Sequence, residues 1–212
     1  MEDVLEVYHL PYDKKRPVIC LDELPFQLPG EKVEPLPMKE GKPKKFDSEY
    51  IRNGVASVFL AFEPLTGKRF VKVYPRRTKA DYCRFQQAVA QEWEPAEVIL
   101  EVPDNLNTHN ASSFYENLPA SEARALTTRF EFHFTPKKAS WLNMAEMELS
   151  ALSRQCLSRR IPEIETLANE LASVVKERNK LAIKFKWQFT VENAREKLNH
   201  HYEKVILKTN VT

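Results

Sequence analysis

Apolar residues in the first part of the chain come in short runs and strict alternations, whereas beyond Ser140 they recur every three to four positions. Val18-Ile19-Cys20-Leu21 sits in a compact run over 17–24 that fits a strand covered on both faces. Residues 55–62 and the alternating Phe70-Val71-Lys72-Val73-Tyr74 flank the turn Glu63-Pro64-Leu65-Thr66-Gly67, which predicts an antiparallel hairpin. Thr78 can cap a helix over 79–92, with Tyr82, Phe85, Val89 and Trp93 on one face. A further strand ends near Pro103, and two short helices fit 111–128, the second opening at Pro119-Ala120-Ser121. Phe130-Glu131-Phe132-His133-Phe134 alternates as a short strand stopped by Pro136. Helices then fit about 141–157, 163–180 and 191–204, the last behind a Thr190 cap.

Between these elements, residues 1–16 are polar and proline-punctuated and read as an N-terminal approach segment. Residues 25–50 are rich in proline and lysine and read as a long irregular insertion, the sort of loop that is functional or mobile. Three strands in meander, followed by two separated by helices, predict an α/β fold: a mixed five-stranded sheet flanked by helices. A right-handed helical crossover returns the fourth strand parallel to the first, beside it. The reading divides the chain into a catalytic unit over 17–160 and a helical C-terminal extension over 161–212, the latter anchored by Ile164, Leu167, Leu171 and Val175.

Composition narrows the function classes. With 212 residues, 42% hydrophobic and 29% charged, the chain holds enough apolar material for one full-sized core. A formal net charge of +2 means that any polyanion must be gripped by a local patch rather than by a global field. Cys20, Cys83 and Cys156 are widely spaced and match no metal-binding spacing, so reduced thiols in a cytoplasmic protein are expected. No apolar run is long enough to span a bilayer, and no membrane partner is expected.

Three carboxylates stand where a core position would ordinarily be apolar. Asp22 ends the run from Val18, Asp104 follows Val98-Ile99-Leu100-Glu101-Val102-Pro103, and Glu146 lies beside the stripe Leu142, Ala145, Leu149, Leu152 and Cys156. Glu148 is about 200° around the helix from Glu146, which predicts that Glu146 faces inward and Glu148 faces solvent. Asp22 and Asp104 fall near the carboxyl ends of adjacent strands, where open α/β sheets build their sites. Each acid also has a plain reading: Asp22 as a strand-end turn cap, Asp104 as an Asx-turn, Glu146 as a surface residue at the stripe's edge. A buried ionised carboxylate costs several kcal/mol without compensation, so three converging would call for a metal.

The segments Ile19-Cys20-Leu21-Asp22-Glu23, Val102-Pro103-Asp104-Asn105-Leu106-Asn107-Thr108-His109 and Ser140-Trp141-Leu142-Asn143-Met144-Ala145-Glu146 resemble the three signature blocks of DDE transposases. The nearest group is the bacterial insertion-sequence transposases related to mariner elements, and the similarity runs from about Val18 to Lys197. The resemblance implies a ribonuclease-H-like fold and makes Asp22, Asp104 and Glu146 the metal-binding catalytic carboxylates. Two Mg²⁺ (or Mn²⁺) ions would serve DNA cleavage and strand transfer. Asn105, Asn107, His109 and Asn143 are candidates to orient the loops that carry those acids. The sequence departs from the family in reading Asp22-Glu23-Leu24-Pro25, where Asp-Glu-Lys-Pro is common, and Lys138-Ala139, where a His-Gly pair is common. Family members also carry an N-terminal helix-turn-helix region, which here is expected on a separate chain or region.

For DNA, the candidate contacts are Arg76, Arg77 and Lys79, then Lys137, Lys138 and Trp141, with Lys42, Lys44 and Lys45 in the insertion. Cations there neutralise phosphates without choosing a sequence, and Trp141 can stack on a base. His200-His201 reads as a solvated helical pair. DNA and further copies of the chain are the expected partners. Two rival readings stand beside the transposase: a non-catalytic remnant or partner subunit, and a ribonuclease-H-like nuclease.

Overall fold

The computed structural model describes residues 1–200 and 202, apart from 44, 46, 105, 107, 108 and 138. Five strands form one sheet in the order β3-β2-β1-β4-β5. β1 (Val18–Glu31), β2 (Tyr50–Glu63) and β3 (Lys68–Tyr74) make the antiparallel meander. β4 (Ile99–Val102) and β5 (Phe130–Phe132) lie parallel to β1 on its other side. The predicted crossover is therefore present: α2 (Lys79–Glu92) carries the chain from the meander to β4, while α3 (Ser112–Asn117) and α4 (Ala120–Thr127) carry it to β5.

Alternation along β1 sorts the core into two layers. Cys20 and Leu28 join one cluster with the helices α1 (Glu2–Tyr8), α5 (Met144–Cys156) and α6 (Ile164–Lys180). Ile19 and Leu21 join the other, against Tyr82, Phe85 and Val89 of α2 and Phe114 of α3. Each fully buried Leu or Phe contributes about 1.5–3 kcal/mol relative to exposure, so both faces are firmly held. The Thr78 cap is a full capping box with Asp81. Another box, Thr190 with Asn193, opens α7 (Val191–Lys197).

Several boundaries differ from those expected. Residues 2–8, read as part of an approach segment, are helical, and Val4, Leu5, Val7 and Tyr8 are buried. The insertion is shorter than expected, because β1 runs on to Glu31 and β2 starts at Tyr50. Pro25 and Pro29 fit within β1 because it pairs with β4 only over Val18, Ile19 and Cys20. Beyond that the strand has an open edge, where a missing N–H costs little. A register shift between Gln27 and Pro29 takes up the second proline. Asp22 is consequently inside β1, paired with Leu60, rather than at the strand's end.

Candidate active site

Asp22 shares its face of β1 with Cys20 and Leu24, and α5 packs its buried stripe on that face. Asp104 lies two residues past β4, and its carboxylate accepts from the Leu106 N–H at 3.3 Å, the Asx-turn expected for this sequence. Glu146 occupies the first turn of α5. The chain after β5 does not enter that helix directly: a 3₁₀ turn, Ser140–Leu142, precedes Asn143, which is the N-cap. The Asn143 side chain accepts from the Ala145 N–H at 3.0 Å and donates to the Leu21 carbonyl at 2.9 Å. One buried amide thus pins the start of α5 to β1 at the residue before Asp22. Asp22, Asp104, Asn143 and Glu146 line one cleft of about 520 Å³.

The cleft is electrically one-sided. Among its described lining residues are four carboxylates, Asp22, Glu23, Asp104 and Glu146, and no lysine or arginine. Burial, opposed by the hydrogen bond from the Glu23 N–H, then the charges of Asp104, Glu23 and Glu146, push the Asp22 carboxyl up to about 7.

On the opposite face of β1, Glu23 has a different environment. His109 Nε2 donates to Glu23 Oε1 at 2.6 Å, and both side chains are buried. His109 Nδ1 lies 2.5 Å from Asp104 Oδ1, an off-axis contact rather than a directed hydrogen bond. Burial opposes a charge on His109, but the two carboxylates prevail and raise its pKa to about 10. The imidazolium in turn holds Asp104 below the ordinary carboxylate range against its partial burial, with Arg77 helping. Ligand atoms of Glu23, Asp104 and His109 lie within 4.8 Å of one another, a grouping that could hold a metal ion; among the described residues Asp22, Asp104 and Glu146 share the cleft without forming a grouping that close. Beneath it, Gln86 Nε2 donates to the Tyr82 hydroxyl at 2.8 Å and to Glu101 Oε1 at 2.7 Å. Burial pushes the Glu101 carboxyl up to about 8, so it is kept neutral near neutral pH.

The structure reverses the predicted assignment on α5. Glu146 is exposed, whereas Glu148 is buried in ion pairs with Arg69 and Arg178 at 2.7 and 2.6 Å. Angular position on a helical wheel misjudged both acids, because α6 and the segment after it cover the flank of α5 that carries Glu148. Glu146 is exposed into the cleft that Asp22 and Asp104 line. Glu23, Glu101, Tyr82 and Gln86 were missed as a polar network. The signals were present: Glu101 interrupts an apolar run, and Gln86 lies one turn after Tyr82 on the buried face of α2.

Of the basic candidates, Arg76 and Arg77 are exposed on the segment after β3, and Lys137 is exposed ahead of the 3₁₀ turn. Lys79 is half-committed to Glu116 at 2.5 Å. Trp141 is 47% exposed and packs its ring on Trp187 and Phe189. Lys42 and Lys45 lie in the exposed loop between β1 and β2. Asn105, Asn107, Lys44, Lys138 and His201 lie outside the described residues.

Comparison with known proteins places this arrangement. The DDE superfamily endonuclease family matches residues 17–168, most of the chain and all three carboxylates. Among solved structures, the Mos1 transposase paired-end complex with the left transposon end is similar over 86% of this chain and 56% of that one, with 16% identity and a TM-score of 0.55. The Mos1 mariner paired-end complex with Mn is similar over 85% and 55%, with 16% identity and a TM-score of 0.53. The chain thus spans just over half the length of these structures, and at that identity they speak for the fold, the ribonuclease-H-like mixed sheet. No curated protein matches the chain by sequence.

Proposed function

The chain belongs to the DDE superfamily endonucleases, and on that premise we propose that it cleaves DNA strands and transfers their ends by metal-dependent catalysis at Asp22, Asp104 and Glu146. The observation that carries this reading is the gathering of acids from three segments in one cleft whose described lining holds no lysine or arginine, with the Asp22 carboxyl pushed up to about 7. Carboxylate oxygens of that kind are the hard donors that Mg²⁺ or Mn²⁺ takes. Held by Asp22, Asp104 and Glu146, such cations would supply activation of an attacking hydroxyl and stabilisation of the departing oxygen.

The chain's own residues do the rest. Asn143 fixes the distance between β1 and the helix that bears Glu146. His109, held by Glu23, keeps Asp104 ionised. Asn105 and Asn107 would steady the loop after Asp104. Arg76, Arg77, Lys79, Lys137 and Lys138 would hold phosphates, making binding strongly salt-dependent. The similar structures are paired-end complexes, so we propose that two copies act together on DNA, with end recognition supplied by a helix-turn-helix region.

Metal-dependent nicking of supercoiled plasmid tests the reading. Purified chain should nick with Mg²⁺ or Mn²⁺ and not with EDTA, and Asp22→Asn or Asp104→Asn should lower the rate by about a thousandfold or more. Nicking that persists in either folded variant would remove these acids from the reaction.

A further inference from the structure

A second groove, of about 760 Å³, runs alongside the acidic cleft. Ser140, Glu146 and Ser150 line both, so the exposed row of α5 forms the ridge between them. The two have opposite electrostatic character. Lining the second groove are four cations, Arg69, Arg154, Arg178 and Lys184, against two carboxylates, Glu146 and Glu148. Glu148 is already paired with two arginines. Arg154 and Lys184 are exposed, and neither has an ion-pair partner among the described residues.

Exposed aromatic surface completes the groove. Trp141 is 47%, Phe185 40% and Ile183 37% exposed, and all three line the groove. Side chains of this size are ordinarily covered. Their exposure is imposed by the backbone beneath them. The Phe185 N–H donates to the Pro64 carbonyl at 2.9 Å, and Arg69 Nη2 donates to the Ile183 carbonyl at 2.8 Å. Gly67, at φ +77°, lets that strap lie so close that a Cβ would meet the Ile183 carbonyl oxygen at 2.7 Å. The strap is therefore pinned down by its main chain while its aromatic and cationic side chains stay outward.

We infer that this groove receives unpaired DNA, the single strand flanking the scissile phosphate, with a base stacked on Trp141 or Phe185 and its phosphates on Arg154 and Lys184. The inference rests on the reading of the acidic cleft as the cutting site. Three features select this occupant. The groove adjoins that cleft across the shared ridge of α5, its net charge is positive, and exposed rings beside cations are what stacked, unpaired bases bind. A paired duplex would bury its bases away from the rings.

The test is fluorescence anisotropy in Ca²⁺, comparing a blunt duplex with the same duplex carrying a short 5-iododeoxyuridine-containing single-stranded flank. The intact chain should bind the flanked duplex about tenfold more tightly. The double variant Lys184→Ala with Phe185→Ala, and separately Arg154→Glu, should lose that preference. Irradiation should crosslink the flank to Trp141 or Phe185. Equal affinity for the two substrates, variants that keep the preference, or crosslinks confined to other surfaces would overturn the inference. So would variants that change only self-association or peptide binding. The nicking assay keeps the two readings apart: a chain that prefers the flank but never nicks contradicts the cutting site alone, and one that nicks without the preference contradicts the groove alone.

Discussion

Asp22 and Glu23 are neighbours on one strand, yet they project from opposite faces of the sheet into opposite circumstances. Glu23 is sealed against a protonated His109 and needs nothing further. Asp22 is half-buried and shares the cleft with Asp104 and Glu146, accepting from the Glu23 N–H, with no lysine or arginine on the described wall of the cleft. The same contrast recurs two residues apart on α5: Glu148 is buried between two arginines, while Glu146 has no ion-pair partner among the described residues and faces the cleft. Structural acids arrive with their counter-charges. Asp22 and Glu146 reach the cleft without them, while Asp104 beside them has His109 and Arg77, and that difference marks the two acids more reliably than burial does.

The contrast on α5 breaks most sharply under paired substitution. Glu146→Gln should abolish nicking and leave the thermal midpoint close to that of the parent. Glu148→Gln should do the reverse in kind, destabilising the fold by about 3–5 kcal/mol because it strands Arg69 and weakens the hold on Arg178. Urea melts and nicking rates on the same preparations check both; a stable Glu148→Gln protein that fails to nick would exchange the two roles.

Asn143→Ala should act on both quantities at once. It removes the helix cap and the link to the Leu21 carbonyl, costing about 1–3 kcal/mol. Nicking should fall well beyond the loss of folded protein, since Glu146 is then free to drift from Asp22. Denaturant melts run beside the rate measurement separate the two effects, and a rate that falls only in step with folding would make Asn143 merely structural.

A smaller effect concerns Glu101. Its folded pKa of about 8 lies above the ordinary 4.5, so its contribution to stability is complete below about 4.5 and is lost as pH rises toward 8. Glu101→Gln should therefore flatten the fall of the thermal midpoint between these limits, gaining about 5 °C on the parent at pH 8 relative to pH 4.5. Some slope should remain, because Asp22 titrates in the same direction up to about 7. Parallel pH profiles for variant and parent would show that Glu101 is not held neutral.

Much of this architecture was legible in residue pattern alone. Compact apolar runs located three of the strands and period-two alternation the other two, and Thr78 and Thr190 marked two helix starts through the hydroxyl they offer to free N–H groups. Parallel return of β4 beside β1 followed from the helix between them. What failed was information that pattern does not carry. Pro25 and Pro29 looked like loop residues because nothing local says that β1 has an open edge there. Glu146 and Glu148 were exchanged because the cover over Glu148 comes from α6 and Arg69, 30 and 79 positions away. The Glu23–His109 pair spans 86 positions and was invisible for the same reason.

Because Asp104 belongs to both acidic groupings, cation binding decides between them most directly. Mn²⁺ binding should be followed by electron paramagnetic resonance in the parent, Asp22→Asn and Glu23→Gln proteins. The parent should bind more tightly as pH rises through about 7, where Asp22 gives up its proton. Asp22→Asn should lose that binding, and Glu23→Gln should retain most of it. Binding that survives Asp22→Asn but disappears in Glu23→Gln would place the metal with Glu23, Asp104 and His109 and contradict the account.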